Sequence, residues 1–299
     1  EIQISKIDTN HSYKIYTVFK ARLYTDTIHD TAIIKNNKII SGPSFQIRNV
    51  KFEEINKNIV FSKGTPRLKK KITGNLFALL TGGGGNYNYW HWMFDVLPRI
   101  KILSNIININ EIDNFLLPNL DKNFQRESLD LLGIPKKKRI SSIKYRHIES
   151  EKIITTDHPY VIRNKASSEI QDIPLWIIQW LSESLTKNIS NSENIYYSKK
   201  IYIDRSDSTS NQSLMRRLIN ENEIKLKLEE AGFKSVRLGE ISLEKQIQTF
   251  RHAETIVGLH GGGFSNLIFC RPNTKIIELK PAGAGLIYAN LAEKCKLNY

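Results

Sequence analysis

The sequence predicts an α/β protein with two doubly wound halves, and three observations carry that prediction. From Ile59 onward, short apolar runs of strand length alternate with stretches of helix length, the pattern of βαβ units on a parallel sheet. The alternation occurs twice, interrupted at Asp157–Ala166, where Pro159 and mixed polarity mark an interdomain linker. Each set also places a glycine loop directly after a strand, Thr81–Asn86 in the first and His260–Gly263 in the second. Two such halves in series leave a cleft for a ligand.

The elements follow in order. Residues 1–58 form a β-rich segment packing on the first domain, with Thr31–Ile34 and Lys38–Ile40 as a hairpin about a Lys35–Asn37 turn. The first domain, 59–160, has strand Leu76–Leu80, the glycine loop, a helix running to about Ser104, strand Phe115–Leu117, helix Asp121–Leu132, and strands Arg139–Ile143 and Lys152–Thr155. The second, 161–299, opens on a long helix, Ser168–Lys187, whose apolar face carries Ile170, Ile173, Ile177 and Leu181. Strand Lys200–Ile203, helix Glu221–Ala231, strand Ser235–Leu238, helix Leu243–His252, strand Thr255–Leu259, helix Phe264–Cys270 and strand Lys275–Leu279 complete it.

With 299 residues, two stable cores are affordable, and 40% hydrophobic with 25% charged residues places the chain among soluble globular proteins. The net charge of +14 favours anionic partners. The basic residues are spread out, however, and no interleaving of aromatic and basic residues appears, so nucleic acid is not an expected partner. Two cysteines, Cys270 and Cys295, give no disulfide framework and fit a reducing compartment. No apolar run has membrane-spanning length and no signal peptide is apparent, so a cytoplasmic location is expected, at the inner face of the plasma membrane if the basic surface associates with it. The chain begins at Glu1 rather than Met and stops at Tyr299, so a fragment is expected, lacking a targeting segment and any final helix that crosses back to the first domain.

Thr255–Leu279 carries the most chemistry. A buried strand runs into His260, Gly261, Gly262 and Gly263, then a short helix. A helix that starts straight after a glycine turn offers unpaired N–H groups and a positive dipole end to a phosphate or pyrophosphate. His260 and Asn266 add polar donors beside the turn, and Glu278 lies near the C-terminal end of the following strand, the ligand edge of a parallel sheet. Arg205 leaves strand Lys200–Ile203 at that same edge with a fork suited to phosphate, and Arg217 supplies a second positive group. In the first half, His91 and Asp95 stand four apart after the glycine loop. Either His91 is a general base whose tautomer Asp95 fixes, or His91 caps the loop and Asp95 bonds its backbone or Arg99. Trp90, Trp92 and Phe94 offer faces for a sugar ring, at least two of them being core. No Asp-x-Asp or His and carboxylate ligand cluster accompanies the cradle, so no metal site is expected.

Three blocks together resemble glycosyltransferase family 61: Asn88–Trp92 with Asp95–Arg99, Tyr202–Arg205 with Arg217–Glu221, and Ile256–Leu279. The resemblance covers roughly Leu76–Tyr299 and departs from the family's pattern at Asp204, where Ser is usual; Gly263 takes the place of the usual small residue after the second glycine. It implies a GT-B fold, two Rossmann-like domains facing a central cleft, and an inverting transferase that uses no bound metal. The second domain would hold a nucleotide-sugar donor, a UDP-sugar as substrate with no cofactor, through Arg205, Arg217, His260–Gly263, Asn266 and Glu278, the last on ribose hydroxyls. His91 with Asp95 would deprotonate a glycan or lipid-linked acceptor of a surface polysaccharide. A nucleotide-sugar epimerase and a non-catalytic polyanion binder are the alternatives.

Overall fold

The computed structural model describes residues 2–8, 12–48, 51–80, 85–189, 197–206 and 218–299. The chain divides into two compact units, Glu1–Ile170 and Gln171–Tyr299, and both are α/β.

The first unit is built on an eight-stranded mixed sheet. Its strands are β1 (Ile2–Asp8), β2 (Ser12–Thr25), β3 (Thr31–Lys35), β4 (Lys38–Ile39), β7 (Lys70–Ala78), β8 (Asn114–Leu117), β9 (Arg139–Ser141) and β10 (His147–Thr156). The order is β4-β3-β2-β10-β7-β8-β9, with β1 also paired to β2. β10, β7, β8 and β9 are mutually parallel, whereas β2 joins β10 antiparallel. The first 58 residues thus extend the same sheet, and the wholly parallel sheet expected for this half is a mixed one. β2 can sit inside it because Val18, Ala21 and Leu23 are buried against Leu76, Leu116, Ile148 and Ile153. The β3–β4 hairpin forms as expected, with Asn36 and Asn37 at φ 49° and 57°, the left-handed pair of a type I′ turn. A small ribbon, β5 (Ile47–Arg48) with β6 (Lys51–Phe52), lies off the main sheet and precedes helix α1 (Ile59–Lys63).

The helix expected to run to Ser104 is three-part: α2 (Tyr89–His91), a π turn at Trp92–Val96 and α3 (Pro98–Ser104). Pro98 explains the break. It has no N–H to donate and its ring would crowd the carbonyl four residues back, and the widened π turn accommodates it. α4 (Asn123–Leu131) follows β8, and α5 (Ala166–Glu169) ends the unit. The predicted single helix Ser168–Lys187 is corrected to α5 and a separate α6 (Leu175–Thr186), since Pro174 disfavours helical geometry at the residue before it.

The second unit has a four-stranded, wholly parallel sheet. Its strands are β11 (Lys200–Asp204), β12 (Lys234–Arg237), β13 (Thr255–Leu259) and β14 (Lys275–Leu279), in the order β12-β11-β13-β14. α7 (Glu221–Glu230) and α8 (Leu243–His252) supply the crossovers on either side of β12. Between β13 and β14 the expected helix is a 3₁₀ helix, Gly262–Phe269. A further helix, α9 (Ile287–Lys294), follows β14 and is tied to the start of the unit by Asn290 Nδ2 donating to the Gln171 carbonyl at 2.7 Å.

Candidate functional site

Both sheets contain a point at which the strand order reverses. In the second unit the chain passes from β11 outward to β12, then returns to β13 on the other flank of β11. Crossovers that leave two neighbouring strands in opposite directions open a crevice beyond their C-terminal ends. Arg205 follows β11 and His260 follows β13, so both stand at that point. Arg205 Nη1 donates to the His260 carbonyl at 2.8 Å, which lays the guanidinium over Gly261. A Cβ at Gly261 would lie 2.9 Å from the guanidinium carbon, and one at Gly263 would lie 2.9 Å from Leu238 Cδ1. At both glycines the constraint is close approach of a side chain, not backbone conformation.

His260 is oriented by Glu278. Its Nδ1 donates to Glu278 Oε1, while Tyr299 donates its hydroxyl to Oε2. The Tyr288 ring of α9 packs edge-on to the imidazole at 5.0 Å. Burial pushes the Glu278 carboxyl up, but hydrogen bonds from His260 and Tyr299 outweigh it and leave it below its ordinary value. Glu278 thus anchors His260 through one carboxylate oxygen and takes the Tyr299 hydroxyl on the other. The imidazole Nε2 is the atom left for a ligand.

Asn266 sits away from the turn. Asn266 is fully buried, and its Nδ2 donates to Gln246 Oε1 of α8 at 3.0 Å, so it pins the 3₁₀ helix to α8 and is not a donor at the turn. The short helix turns its side chains inward at this spacing because Phe264, Leu267 and Ile268 must also reach the core. Arg217 lies outside the described residues. Asp204, at the end of β11, takes Lys225 Nζ at 3.0 Å, Arg237 Nε at 3.3 Å and the Ser206 N–H at 2.9 Å. Burial raises its carboxyl, but these partners pull it down to about 2.

The first unit repeats the arrangement. The chain runs from β7 outward through β8 and β9, then returns to β10 on the other flank of β7. The loop after β7 leads to His91, and the segment after β10 carries Asp157, His158 and Tyr160. Residues 81–84 of the expected glycine loop lie outside the described residues. Gly85 has φ 78°, and a Cβ there would meet Val96 Cγ2 at 2.5 Å, so only glycine fits. Gln125 Nε2 of α4 donates to the Gly85 and Asn86 carbonyls at 3.0 and 2.8 Å, and Asn88 accepts from the His91 N–H as N-cap.

His91 Nδ1 donates to Asp95 Oδ2 at 2.8 Å, across the junction of α2 and the π turn. That bond holds the imidazole with its proton on Nδ1 and Nε2 free to accept one. The His91 side chain is 34% exposed and that of Asp95 only 5%. Asp95 Oδ1 accepts from the Tyr160 hydroxyl at 2.7 Å, and His158 Nε2 lies 3.7 Å from Oδ2. His158 Nδ1 in turn accepts the Tyr160 and Val161 N–H groups, which fixes its proton on Nε2 toward Asp95. Burial pushes the Asp95 carboxyl up, yet His91 and the hydrogen bonds from both histidines hold it well below the carboxylate range. Burial lowers the His91 pKa, and the Asp95 charge and hydrogen bond raise it above its ordinary value.

Arg99 is not Asp95's partner. Its guanidinium is fully buried and donates to the Leu80 carbonyl, to Thr155 and to Thr156, with Nε to Thr156 Oγ1 at 3.0 Å, tying the ends of β7 and β10 together. Trp90, Trp92 and Phe94 are all buried and give no face for a sugar. His158 and Tyr160 were missed by sequence reasoning, which took Asp157–Ala166 as a linker. At 3% and 4% exposure they belong to the site floor. The available signal was a His-Pro-Tyr run directly after a buried strand, at the edge where parallel strands present ligand groups.

Among the described residues, no group of three or more His, Cys, Asp or Glu side chains is arranged to hold a metal ion, and no helix is long and apolar enough to cross a membrane. No curated protein sequence matches the chain. The family model described as Glycosyltransferase 61 matches residues 89–277, well over half of the chain and a span that takes in His91, Asp95, Arg205 and the His260 turn. The chain therefore belongs to glycosyltransferase family 61 and is a sugar-transferring enzyme.

Proposed function

We propose that the protein is an inverting, metal-independent glycosyltransferase of GT-B type, using a UDP-sugar donor and a glycan or lipid-linked acceptor of surface polysaccharide synthesis. The observation that carries this reading is an oriented imidazole, His91 on Asp95, at the strand-order reversal of the first unit and Arg205 over Gly261 at that of the second. The second unit, 171–299, takes the donor and the first takes the acceptor. Arg205 and the N–H groups at the start of Gly262–Phe269 receive the diphosphate, with His260 Nε2 as a further donor or acceptor to it.

In the transfer step an acceptor hydroxyl gives its proton to His91 Nε2 as its oxygen attacks the anomeric carbon. The bond from that carbon to the diphosphate oxygen breaks, and UDP leaves with the electron pair. A single displacement inverts the anomeric centre. Charge develops on the leaving oxygen, where Arg205 stabilises it. Asp95 stabilises the imidazolium that forms, with Tyr160 and His158 holding the carboxylate in place. Peripheral membrane association at the cytoplasmic face is part of the proposal. Phe61 and Leu68 are 62% and 88% exposed in a stretch with Lys63, Arg67 and Lys69–Lys71, a composition suited to an anionic lipid surface.

A nucleotide-sugar panel with and without acceptor glycans, followed by NMR, tests this. The expected result is UDP release with a new glycosidic linkage of opposite anomeric configuration, only when acceptor is present. Conversion of the donor to an isomeric nucleotide sugar without acceptor would make the protein an epimerase.

A further inference from the structure

The first unit contains a cavity of about 340 Å³ that does not include His91 or Asp95. Its walls are the start of β2 with Lys14 and Tyr16, the loop Ser41–Gln46, the β6 end with Phe52 and Glu53, and the Asp157–Ile162 segment. We propose that this cavity is a saccharide subsite, binding a neutral, hydroxyl-rich pyranose ring. On the transferase reading, that ring is a unit of the acceptor remote from the reacting hydroxyl.

The hydrogen-bonding capacity of the walls defines the ligand. Gln46 is 3% exposed, its Nε2 donates to the Glu54 carbonyl, and its Oε1 is buried with no hydrogen-bond partner. Asp157 accepts the Lys14 N–H at 2.9 Å and the Tyr16 hydroxyl at 3.0 Å, one bond on each oxygen, so each retains a lone pair. The Ser44 hydroxyl already donates to the Ile40 carbonyl and accepts the Ile33 N–H. What remains are acceptor positions on Gln46 and Asp157 alongside the Ser12 and Ser41 hydroxyls that also line the cavity, a mixture that calls for a ligand whose groups both donate and accept, as sugar hydroxyls do. Glu53 is paired with Lys57, a phosphate would face the Asp157 carboxylate, and an apolar ligand would leave Gln46 Oε1 unpaired. Half-buried Phe52, backed by the buried Phe45 ring at 5.8 Å, supplies the apolar surface on which the C–H face of a sugar packs.

The cavity also reaches His158, which faces the carboxylate that orients His91. Phe52 meets the His158 ring edge-on at 6.2 Å, and His158 lies 3.7 Å from the carboxylate that orients His91. A ring that fills the cavity packs against Phe52 and braces His158 in the orientation Asp95 requires.

The test is saturation-transfer NMR with methyl glycosides of glucose, galactose, xylose and N-acetylglucosamine at millimolar concentration. Glucose 6-phosphate serves as the anionic control, and the His158 ring signals are followed in parallel. At least one glycoside is expected to bind and to shift the His158 signals. Phe52→Ala and Gln46→Leu should each weaken that binding by about tenfold or more, with thermal stabilisation by UDP unchanged. If Gln46→Leu does not fold, Phe52→Ala carries the comparison. The proposal is overturned if no glycoside binds, if both variants bind as tightly as the parent, or if glucose 6-phosphate binds better than the neutral glycosides. Because UDP stabilisation reads the donor site separately, its absence would count against the transferase reading and not against the cavity.

Discussion

His91 and Arg205 are held by different means, and substitutions should separate them. His91 relies on a single carboxylate that is itself held by Tyr160 and His158. His91→Ala should lower turnover by about a hundredfold or more, with UDP affinity unchanged in calorimetry. As a base, His91 works unprotonated, so turnover should fall as pH drops through its raised pKa. Asp95→Asn removes the charge that raises that pKa, so the acidic limb of the pH–rate profile should move to lower pH while the maximal rate declines. Gly261→Ala makes the complementary case. Its Cβ would stand 2.9 Å from the Arg205 guanidinium, a side-chain end that can move, so the fold should survive while UDP affinity falls. A circular dichroism melt alongside calorimetry checks both halves of that expectation.

At the scale of elements, two buried polar groups tie neighbouring elements together. Asn266 bonds Gln246 from within the core, and Asn266→Ala should cost about 1–3 kcal/mol of stability without changing the UDP affinity of the folded protein. Denaturant unfolding with parallel calorimetry reads the two effects apart. Asp204 links β11 to α7 through Lys225 and to β12 through Arg237. Its folded pKa, about 2, lies below the ordinary carboxylate value of about 4. The stability it contributes is therefore present above the unfolded value and lost as pH falls toward the folded one. Asp204→Asn should melt below the parent at neutral pH, and the difference should close as the pH is lowered from about 4 to about 2.

The elements also show what the sequence makes legible. β13, β14 and α8 match their predicted bounds because apolar runs, Ser242 as N-cap and the glycine turn all agree locally. His91 beside Asp95 and Arg205 beside His260 follow from spacing and strand ends. The Tyr160 bond to Asp95 spans 65 positions, and no local pattern encodes it. Asn266 looked like a ligand donor because a residue type does not reveal which way a 3₁₀ turn points it. The π turn at Trp92–Val96 depended on how one proline would be accommodated, which packing decides.

For the whole molecule, the same device occurs once in each unit: an imidazole oriented by a carboxylate at a reversal of strand order. The transferase account gives the two copies different tasks, proton removal at His91 and diphosphate binding beside His260. It gives Arg205 the charge compensation a divalent cation would otherwise supply, so turnover should persist in excess EDTA; loss restored by manganese would show that a metal carries the leaving group. Calorimetric titration of UDP into the parent protein and Arg205→Lys tests the central claim most directly. Lysine keeps the charge but loses the fork that bonds the His260 carbonyl and diphosphate together. The account predicts saturable UDP binding by the parent and a loss of about tenfold or more in Arg205→Lys. Absence of UDP binding, or equal affinity in both proteins, would contradict it.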